Sequence, residues 1–287
     1  MQEFVALHDP RWPERPAILG KRHPPGTYSD DTQMTIAVAE ALLAEDDLDA
    51  AMRAMGAEFV RWSESPDNDR APGGTCMTGC ASLAAGVPWR DAGVSDSKGC
   101  GSAMRVAPIG LRFAGERARL LEVARASSLL THGHRAAVES AAAAALLVAL
   151  ALEKRTPEQM HRAVLEECGP RSLDLADRLG QVPGLLSADP ALALSAEGLG
   201  ESWVAEEAVA SALWCFWRSP DDFRTTVLTA ANTDGDSDSI AAIAGGISGA
   251  FNGIGAIPAA WREGVEGAAR LRTLAGRLWQ RVRQTQG

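Results

Sequence analysis

Apolar residues recur along most of the chain at the spacing of three to four residues that is typical of amphipathic α-helices. In the segment 32–45, for example, Met34, Ile36, Val38 and Leu42 give a largely apolar surface. The alternating pattern of a β-strand is nearly absent, and Gly and Pro fall mostly between the helical segments. The pattern therefore predicts an all-α fold. Helices are predicted at 32–45, 48–63, 76–85, 116–130, 135–154, 157–167, 172–179, 202–218, 220–230, 237–252 and 259–283.

These helices are predicted to form one compact domain that spans residues 1–287 and contains about ten helices. Within it, residues 1–26 are expected to be irregular, because prolines at positions 10, 13, 16, 24 and 25 interrupt any helix. The chain shows no internal repeat, no linker and no low-complexity tract.

Composition and charge narrow the classes of function. Acidic residues outnumber basic ones, 37 against 28, which gives a formal charge of −9. Since phosphate backbones and anionic lipids attract clustered Lys and Arg, neither general nucleic-acid binding nor attachment to a membrane surface is expected. The longest apolar run, 141–152, is shorter than the ~20 residues of a membrane-spanning helix, and the N-terminus lacks the pattern of a signal peptide.

The five cysteines are few for a chain of 287 residues and odd in number. This count favours reduced thiols in a cytoplasmic protein over a disulfide framework. Cys76 and Cys80 lie one helical turn apart, but a zinc site needs further ligands nearby. Packing in the core is therefore the favoured interpretation of this pair.

Two clusters of acidic and hydroxyl residues lie where a loop becomes a predicted helix, SDDT at residues 29–32 and DGDSDS at residues 234–239. Helix capping, which prefers Ser, Thr and Asp, explains either cluster alone. Capping uses one side chain, however, whereas the second cluster carries three carboxylates that repel one another, Asp234, Asp236 and Asp238. Such a surplus is expected where a cation holds the carboxylates together.

The donor atoms restrict the kind of cation. Carboxylate and hydroxyl oxygens suit Mg²⁺, Mn²⁺ or Ca²⁺ rather than zinc or copper. An EF-hand is excluded, because counting from Asp234 places Ser239 where that loop requires Gly and Gly245 where it requires Glu. The two clusters are about 200 residues apart, so the sequence leaves open whether they meet in space.

Both clusters resemble the paired motifs of the ADP-ribosylglycohydrolase family, which includes the dinitrogenase reductase-activating glycohydrolase. The family patterns are similar to S/T-D-D-T-x-M/L near the N-terminus and G-D-S/T-D-S/T near the C-terminus. This chain has SDDTQM at residues 29–34 and GDSDSI at residues 235–240. The resemblance covers residues 24–275 and implies an all-α domain with a dinuclear metal site at its centre.

The resemblance also implies two divalent cations, Mg²⁺ or Mn²⁺, bound between the motifs. Asp30 and Asp31 are then the candidate catalytic residues, one of which orients or deprotonates the attacking water, and the choice between them stays open. Asp234 has no counterpart in the pattern. It either contacts one of the cation ligands without binding a cation itself, or it caps the helix. The implied cation ligands are Ser29, Asp30, Asp31, Asp236, Asp238 and Ser239.

A glycine loop, SKGCGSAMR at residues 97–105, resembles the family loop G-x-G/A-A/S-A-M-R. Its glycines let backbone N–H groups approach an anion, and Ser102 adds a hydroxyl donor, although an ordinary glycine turn before a helix is the alternative. In the family this loop lies along the diphosphate and adenosine side of the ligand. The implied substrate contacts in the loop are Gly99, Cys100, Gly101, Ser102 and Met104.

Two further residues have two interpretations each. Arg105, at the end of the loop, binds phosphate or forms a buried ion pair. His132 lies in a Thr-His element that is similar to one in the family, which implies a contact on the ligand side. A buried structural histidine is the alternative.

The chain departs from the family pattern at its N-terminus. The family usually begins with a helix carrying G-D-A/S-x-G, followed by an acidic residue close to the active site, whereas this chain begins with MQEFVALHDP. The usual first helix is therefore predicted to be absent. Glu3 is a candidate to replace this acidic residue, but its position near the start of the chain is the one observation in its favour.

The function implied by the resemblance is metal-dependent hydrolysis of the glycosidic bond at C1″ of ADP-ribose conjugates, through an oxocarbenium-like transition state. ADP-ribosyl-arginine on a protein is the favoured substrate. Conjugates of serine, of a nucleobase or of a small molecule also fit. One alternative is a non-catalytic protein on the same fold that binds ADP-ribose or has an immunity or structural role. Another is a metal-dependent hydrolase of a different nucleotide or sugar phosphate.

Overall fold

A computed structural model describes residue 23 and residues 26–285. The all-α prediction is confirmed, since β pairing in this part of the chain is confined to two isolated bridges, Val94 with His132 and Gly99 with Val204. The helices are α1 (Asp30–Ala44), α2 (Leu48–Ser63), α3 (Gly74–Ala84), α4 (Ala107–Arg112), α5 (Arg117–Leu129), α6 (Arg135–Leu152), α7 (Pro157–Glu167), α8 (Leu173–Gln181), α9 (Pro190–Ala193), α10 (Ala205–Arg218), α11 (Phe223–Ala231), α12 (Ser237–Asn252), α13 (Ala259–Gly264) and α14 (Ala268–Thr285).

The alanine-rich helix α6 lies at the centre, and α4, α5, α10 and α12 pack around it. Small residues bring these helices close together. A Cβ on Gly110 of α4 would lie 2.4 Å from the carbonyl oxygen of Ala145, and Gly246 of α12 lies against Val148. The close approach of α12 fixes the direction in which its N-terminus, and with it the second acidic cluster, points.

By length and composition, α6 is the one helix among the described residues that could cross a membrane. The apolar window of this helix covers all of Arg135–Leu152, whereas the uninterrupted apolar run covers only 141–152. However, 83% of the helix is buried inside the protein, as in the core helix of a globular domain.

Helix α1 carries the first acidic cluster and lies between α2 and the C-terminal helix α14. Buried Leu274, Leu278 and Val282, four residues apart, form the inner stripe of α14. Arg277 of α14 pairs with Glu40 of α1 at 3.3 Å. The covering helix thus buries α1 and leaves only its N-terminus directed at the second cluster.

Several predicted helix boundaries are wrong. The predicted helix 259–283 is two helices, α13 and α14, because the backbone turns at Gly267 with φ of 63°. The predicted helix 202–218 begins only at Ala205, since Ser202 has φ of 68°. The short helices α4 and α9 were not predicted, because 6 and 4 residues are too few to show a period, although each has in its first turn the Pro that is typical of a helix start.

All five cysteines are free and buried. Burial raises the pKa of Cys76 to about 12 and that of Cys80 to about 11, so both thiols are protonated and pack in the core. The cytoplasmic location stays a prediction. The irregular segment predicted at 1–26 lies outside the described residues except for positions 23 and 26, and Glu3 lies outside them as well.

Candidate active site

The first acidic cluster lies at the N-terminus of α1 and is buried. Ser29 occupies the N-cap position, but its hydroxyl donates to Oδ2 of Asp31 at 3.1 Å and makes no capping bond. Asp30 and Asp31 are only 4% and 3% exposed. The Oδ2 atom of Asp30 accepts the backbone N–H of Gly73 at 3.3 Å. Helix capping therefore does not account for this cluster.

The second acidic cluster lies at the N-terminus of α12. Asp236 is the N-cap residue and makes no side-chain capping bond, while its backbone N–H donates to the carbonyl of Glu201 at 2.8 Å. A Cβ on Gly235 would lie 2.1 Å from that carbonyl oxygen, which explains why a glycine precedes Asp236. Asp238 is exposed in the first turn, and Ser239 is buried behind it.

The two clusters meet in space. Side-chain oxygens of Asp30, Asp31 and Asp238 all lie within 4.8 Å of one another. Asp236 and Ser239 lie beside this group, since the Cys100 thiol donates to Asp236 at 2.7 Å and lies 3.5 Å from the hydroxyl of Ser239. The two motifs are therefore brought together, with Asp30, Asp31 and Asp238 closest to one another. Asp234, in contrast, is exposed and lies outside the group of three carboxylates.

Burial and mutual repulsion raise the pKa values of these carboxyl groups. Desolvation, followed by the charge of Asp238, raises the pKa of Asp30 to about 7 and that of Asp236 to about 7. The same two causes raise the pKa of Asp31 well above its ordinary value. At neutral pH the cluster therefore retains protons unless a positive charge lies among the carboxylates.

The oxygen atoms of the cluster fit a divalent cation. Oδ1 of Asp31 is buried and has no hydrogen-bond partner in the described part of the chain. Leaving a buried acceptor unpaired costs ~1–3 kcal/mol, and a cation beside it would remove this cost. The donors are carboxylate and hydroxyl oxygens, which Mg²⁺ and Mn²⁺ prefer.

The glycine loop runs beside the second cluster. Its backbone pairs with the segment before α10, since Cys100 donates its N–H to the carbonyl of Trp203 at 3.3 Å and the carbonyl of Lys98 accepts from Ala205 at 2.8 Å. The Cys100 thiol donates to Oδ2 of Asp236 at 2.7 Å. The loop thus borders the carboxylates, where it can line a ligand bound at them.

His132 lies underneath the glycine loop and supports it. A Cβ on Gly99 or on Gly101 would approach the imidazole ring at 3.1 or 3.0 Å. Nδ1 of the ring lies 2.8 Å from the hydroxyl of Thr131. Burial and the charge of Arg105 lower the pKa of His132 to about 3, so the ring is neutral at physiological pH. This placement favours the structural interpretation of His132 over a contact on the ligand side.

Two other residues of the loop, Ser102 and Met104, face the core. Ser102 is fully buried and its hydroxyl donates to the carbonyl of Ala137 at 3.3 Å, so this side chain does not face a ligand as the sequence suggested. Met104 is buried with its sulfur 3.7 Å from the hydroxyl of Ser239. These side chains hold the loop against the domain and leave contact with a ligand to its backbone.

Arg105 fits neither interpretation of the sequence. It is fully buried and donates to the carbonyl of Ser127 at 3.0 Å and to the hydroxyl of Thr131 at 2.8 Å. Its guanidinium lies over the ring of Phe59, 4.4 Å from the centroid. The partners of this arginine are thus neutral groups of the core rather than a phosphate or a carboxylate.

Sequence reasoning missed a segment that connects the two functional loops, residues 200–204, here called the clamp segment. Its Glu201 holds the backbone of Asp236, and its Trp203 holds the backbone of Cys100. Ser202 between them is fully buried and donates its N–H to the carboxylate of Glu207 at 3.0 Å. In the sequence, Gly198 and Gly200 indicated a loop before α10, and the structure gives Gly200 a φ of 99°.

Arg70 was missed as well. Its guanidinium donates to the carbonyl of Tyr28 at 3.1 Å and to Glu266 at 2.6 Å, and its own carbonyl accepts the N–H of Asp30 at 3.3 Å. Arg70 thus fixes the loop that leads into the first acidic cluster. No local motif marks it, since its partners lie far away in the sequence.

The sequence profile of the ADP-ribosylglycohydrolase family matches residues 2–287, a wider range than the resemblance at 24–275. The chain is 31% identical to the ADP-ribosylhydrolase ARH3 of Mus musculus, over 88% of this chain and 76% of that protein. It is 28% identical to the ADP-ribosylarginine hydrolase Tri1 of Pseudomonas putida, over 90% of this chain and 68% of that protein.

A solved structure described as an ADP-ribosylglycohydrolase-related protein complex has a similar fold. It superimposes with a TM-score of 0.74 and 28% identity, over 90% of this chain and 83% of that one. The profile match covers nearly the whole chain, and the paired acidic motifs meet in the structure. The chain belongs to the ADP-ribosylglycohydrolase family.

Proposed function

We propose that this protein hydrolyses the glycosidic bond at C1″ of ADP-ribose conjugates and that two divalent cations, Mg²⁺ or Mn²⁺, serve the reaction. The observation that carries the proposal is the group of buried Asp30, buried Asp31 and exposed Asp238, which two distant motifs bring together. Membership of the family supports the class of reaction.

The residues that would hold the cations are those of the two motifs, which the fold brings together at one place. A bound divalent cation supplies a Lewis acid that polarises an oxygen ligand and lowers the pKa of water. The protein contributes carboxylates that hydrogen bonds hold in place. The backbone N–H of Gly73 donates to Asp30, and the hydroxyl of Ser29 donates to Asp31. Such fixed positions reduce the reorganisation that catalysis requires.

In the proposed reaction a water oxygen forms a bond to C1″ while the bond from C1″ to the leaving nitrogen or oxygen breaks. The water proton passes to Asp30 or Asp31, and the leaving group takes up a proton as it departs. A positioned carboxylate can take up the first proton as a general base and return it to the leaving group, so that the protons balance. The neighbouring glycine loop offers its backbone to the diphosphate.

ADP-ribosyl-arginine is the proposed substrate. The name of the relative Tri1 gives this linkage, which supports the assignment. The overall charge of −9 also favours a cationic guanidinium in the substrate over a second anionic group.

The experiment that tests the function is release of ADP-ribose from an ADP-ribosyl-arginine peptide and an ADP-ribosyl-serine peptide. Each is measured with Mg²⁺, with Mn²⁺ and with EDTA. We expect release from the arginine peptide that requires a cation and that Asp236→Ala abolishes. Asp234→Asn, in the same loop but outside the carboxylate group, is the matched control and should retain activity. Binding of ADP-ribose without release from either peptide would contradict the proposal and favour a non-catalytic binder.

Gly235→Ala is expected to weaken Mn²⁺ binding by about 10-fold or more, in the range observed for residues that orient metal ligands. The added methyl group would collide with the carbonyl of Glu201 and displace Asp236. Isothermal titration with Mn²⁺ measures the change. Gly255→Ala is the control, since no atom lies within 4 Å of a Cβ there. Equal affinity in Gly235→Ala and the unmodified protein would show that the clamp segment does not position Asp236.

A further inference from the structure

The glycine loop contributes one side chain to the carboxylate group, that of Cys100. It occupies the position that the loop pattern leaves unspecified, so the thiol is a property of this chain and not of the motif. Its sulfur lies 2.7 Å from Oδ2 of Asp236 and 3.5 Å from the hydroxyl of Ser239. The thiol thus contacts two residues of the cation motif across 136 and 139 positions of sequence.

The backbone holds Cys100 firmly in this position. Its N–H donates to the carbonyl of Trp203 at 3.3 Å, and its carbonyl accepts the N–H of Ala103 at 2.8 Å within a short 3₁₀ turn. The side chain is only 9% exposed, so bulk water has little access to the thiol. Because the backbone fixes the position of the Cys100 thiol, this donor determines the orientation of the carboxylate that accepts its hydrogen bond.

Asp236 depends on such a partner more than Asp30 and Asp31 do. Asp30 and Asp31 have donors on their own side, from Gly73 and Ser29, whereas Asp236 makes no capping bond to its own helix. A thiol bond to Oδ2 leaves Oδ1 to face a cation. Ligating carboxylates are commonly held by a donor of this kind on the oxygen that is not bound to the metal.

We propose that Cys100 is a positioning residue, whose thiol donates to Oδ2 of Asp236 and thereby orients this carboxylate toward a divalent cation. The inference rests on the proposed cation site and adds a residue that acts through Asp236. A buried cysteine that merely fills space is the alternative, and the two interpretations differ in what they require of a replacement. Packing requires an apolar group, whereas positioning requires a donor.

The test is Mn²⁺ affinity, measured by the EPR signal of free Mn²⁺ on Cys100→Ala, Cys100→Ser and the unmodified protein. We expect Cys100→Ala to bind about 10-fold more weakly, in the range that such supporting residues show, and Cys100→Ser to recover most of the loss because its hydroxyl donates. In the hydrolysis assay, Cys100→Ala should raise the Mg²⁺ concentration for half-maximal rate and leave kcat at saturating Mg²⁺ nearly unchanged.

Cys215→Ala is the control, because it removes the same sulfur atom from a buried thiol in the middle of α10. It should bind Mn²⁺ as the unmodified protein does. Equal affinity in Cys100→Ala and the unmodified protein would overturn the inference and leave the cation site standing. A serine variant as weak as the alanine variant would overturn it too, in favour of packing. Absence of Mn²⁺ binding in the unmodified protein would overturn the cation site and the inference together.

Discussion

Asp31→Asn is expected to lower kcat by about 10³-fold while it makes the cation-free protein more stable. The first effect follows because loss of one carboxylate weakens a Lewis-acid site that is worth several kcal/mol, and each 1.4 kcal/mol corresponds to about a factor of ten. The second follows because burial and the charges of Asp238 and Asp30 force the Asp31 carboxyl to hold a proton in the folded protein, whereas asparagine is neutral without one. Rates with saturating Mn²⁺ and thermal unfolding in EDTA measure the two effects.

The opposite signs of these effects distinguish a functional carboxylate from a structural one. Removing a structural N-cap typically costs about 1 kcal/mol of stability, so a capping role for Asp31 predicts a lower unfolding temperature. Asp222 provides the comparison, since its side chain caps α11 by accepting from Thr225 at 3.0 Å. Asp222→Ala should lower stability and spare activity. A destabilised Asp31→Asn that still hydrolyses substrate would refute the assignment of Asp31.

The cation-free protein is expected to lose stability as the pH rises from 5.5 to about 7. In the unfolded chain Asp30 and Asp236 titrate near their ordinary values, whereas burial raises the pKa of each to about 7 in the folded protein. The folded state therefore binds more protons than the unfolded state in this interval, and the free energy of unfolding falls as the pH increases. At about 1.4 kcal/mol per pH unit, one such group accounts for a loss on the order of 2 kcal/mol.

Urea unfolding at pH 5.5 and at pH 7.5 measures this loss, first with EDTA and then with excess Mn²⁺. The cation should reverse the trend, because it binds the ionised carboxylates and stabilises the folded state by mass action. Asp31→Asn should flatten the dependence in EDTA, since it removes one of the carboxyl groups that bind a proton in the folded state and lose it in the unfolded chain. Equal stability of the EDTA-treated protein at both pH values would show that these carboxyl groups are not buried together.

The sequence predicted the fold class well because long helices leave a periodic trace over many residues. The apolar periodicity of the segment 135–154 corresponds to α6, and the predicted bounds 48–63 and 237–252 coincide with those of α2 and α12. The sequence failed where one backbone torsion decides the structure, as at Gly267 and Ser202. A single positive φ interrupts a helical pattern without altering its apolar spacing.

The candidate site was predictable as far as its residues lie in compact motifs. Each acidic motif supplies more carboxylates than capping uses, and this excess pointed to a cation. The direction of individual side chains was not predictable, because it depends on contacts between distant elements. Ser102 and His132 were expected at the ligand, yet Ala137 and the overlying glycines determine where they lie.

The clamp segment connects the loop before α12, which carries Asp236, to the glycine loop, so the two loops cannot move independently. The carbonyls of Glu201 and Trp203, which hold Asp236 and Cys100, are separated by a single residue. An insertion between them would push the two loops apart, so we expect the length of this stretch to be the same in relatives. Trp203 is 59% exposed, and only its backbone holds the glycine loop. We therefore expect relatives to differ here by substitution at position 203, which changes what the exposed side chain contacts and keeps the spacing of the two carbonyls.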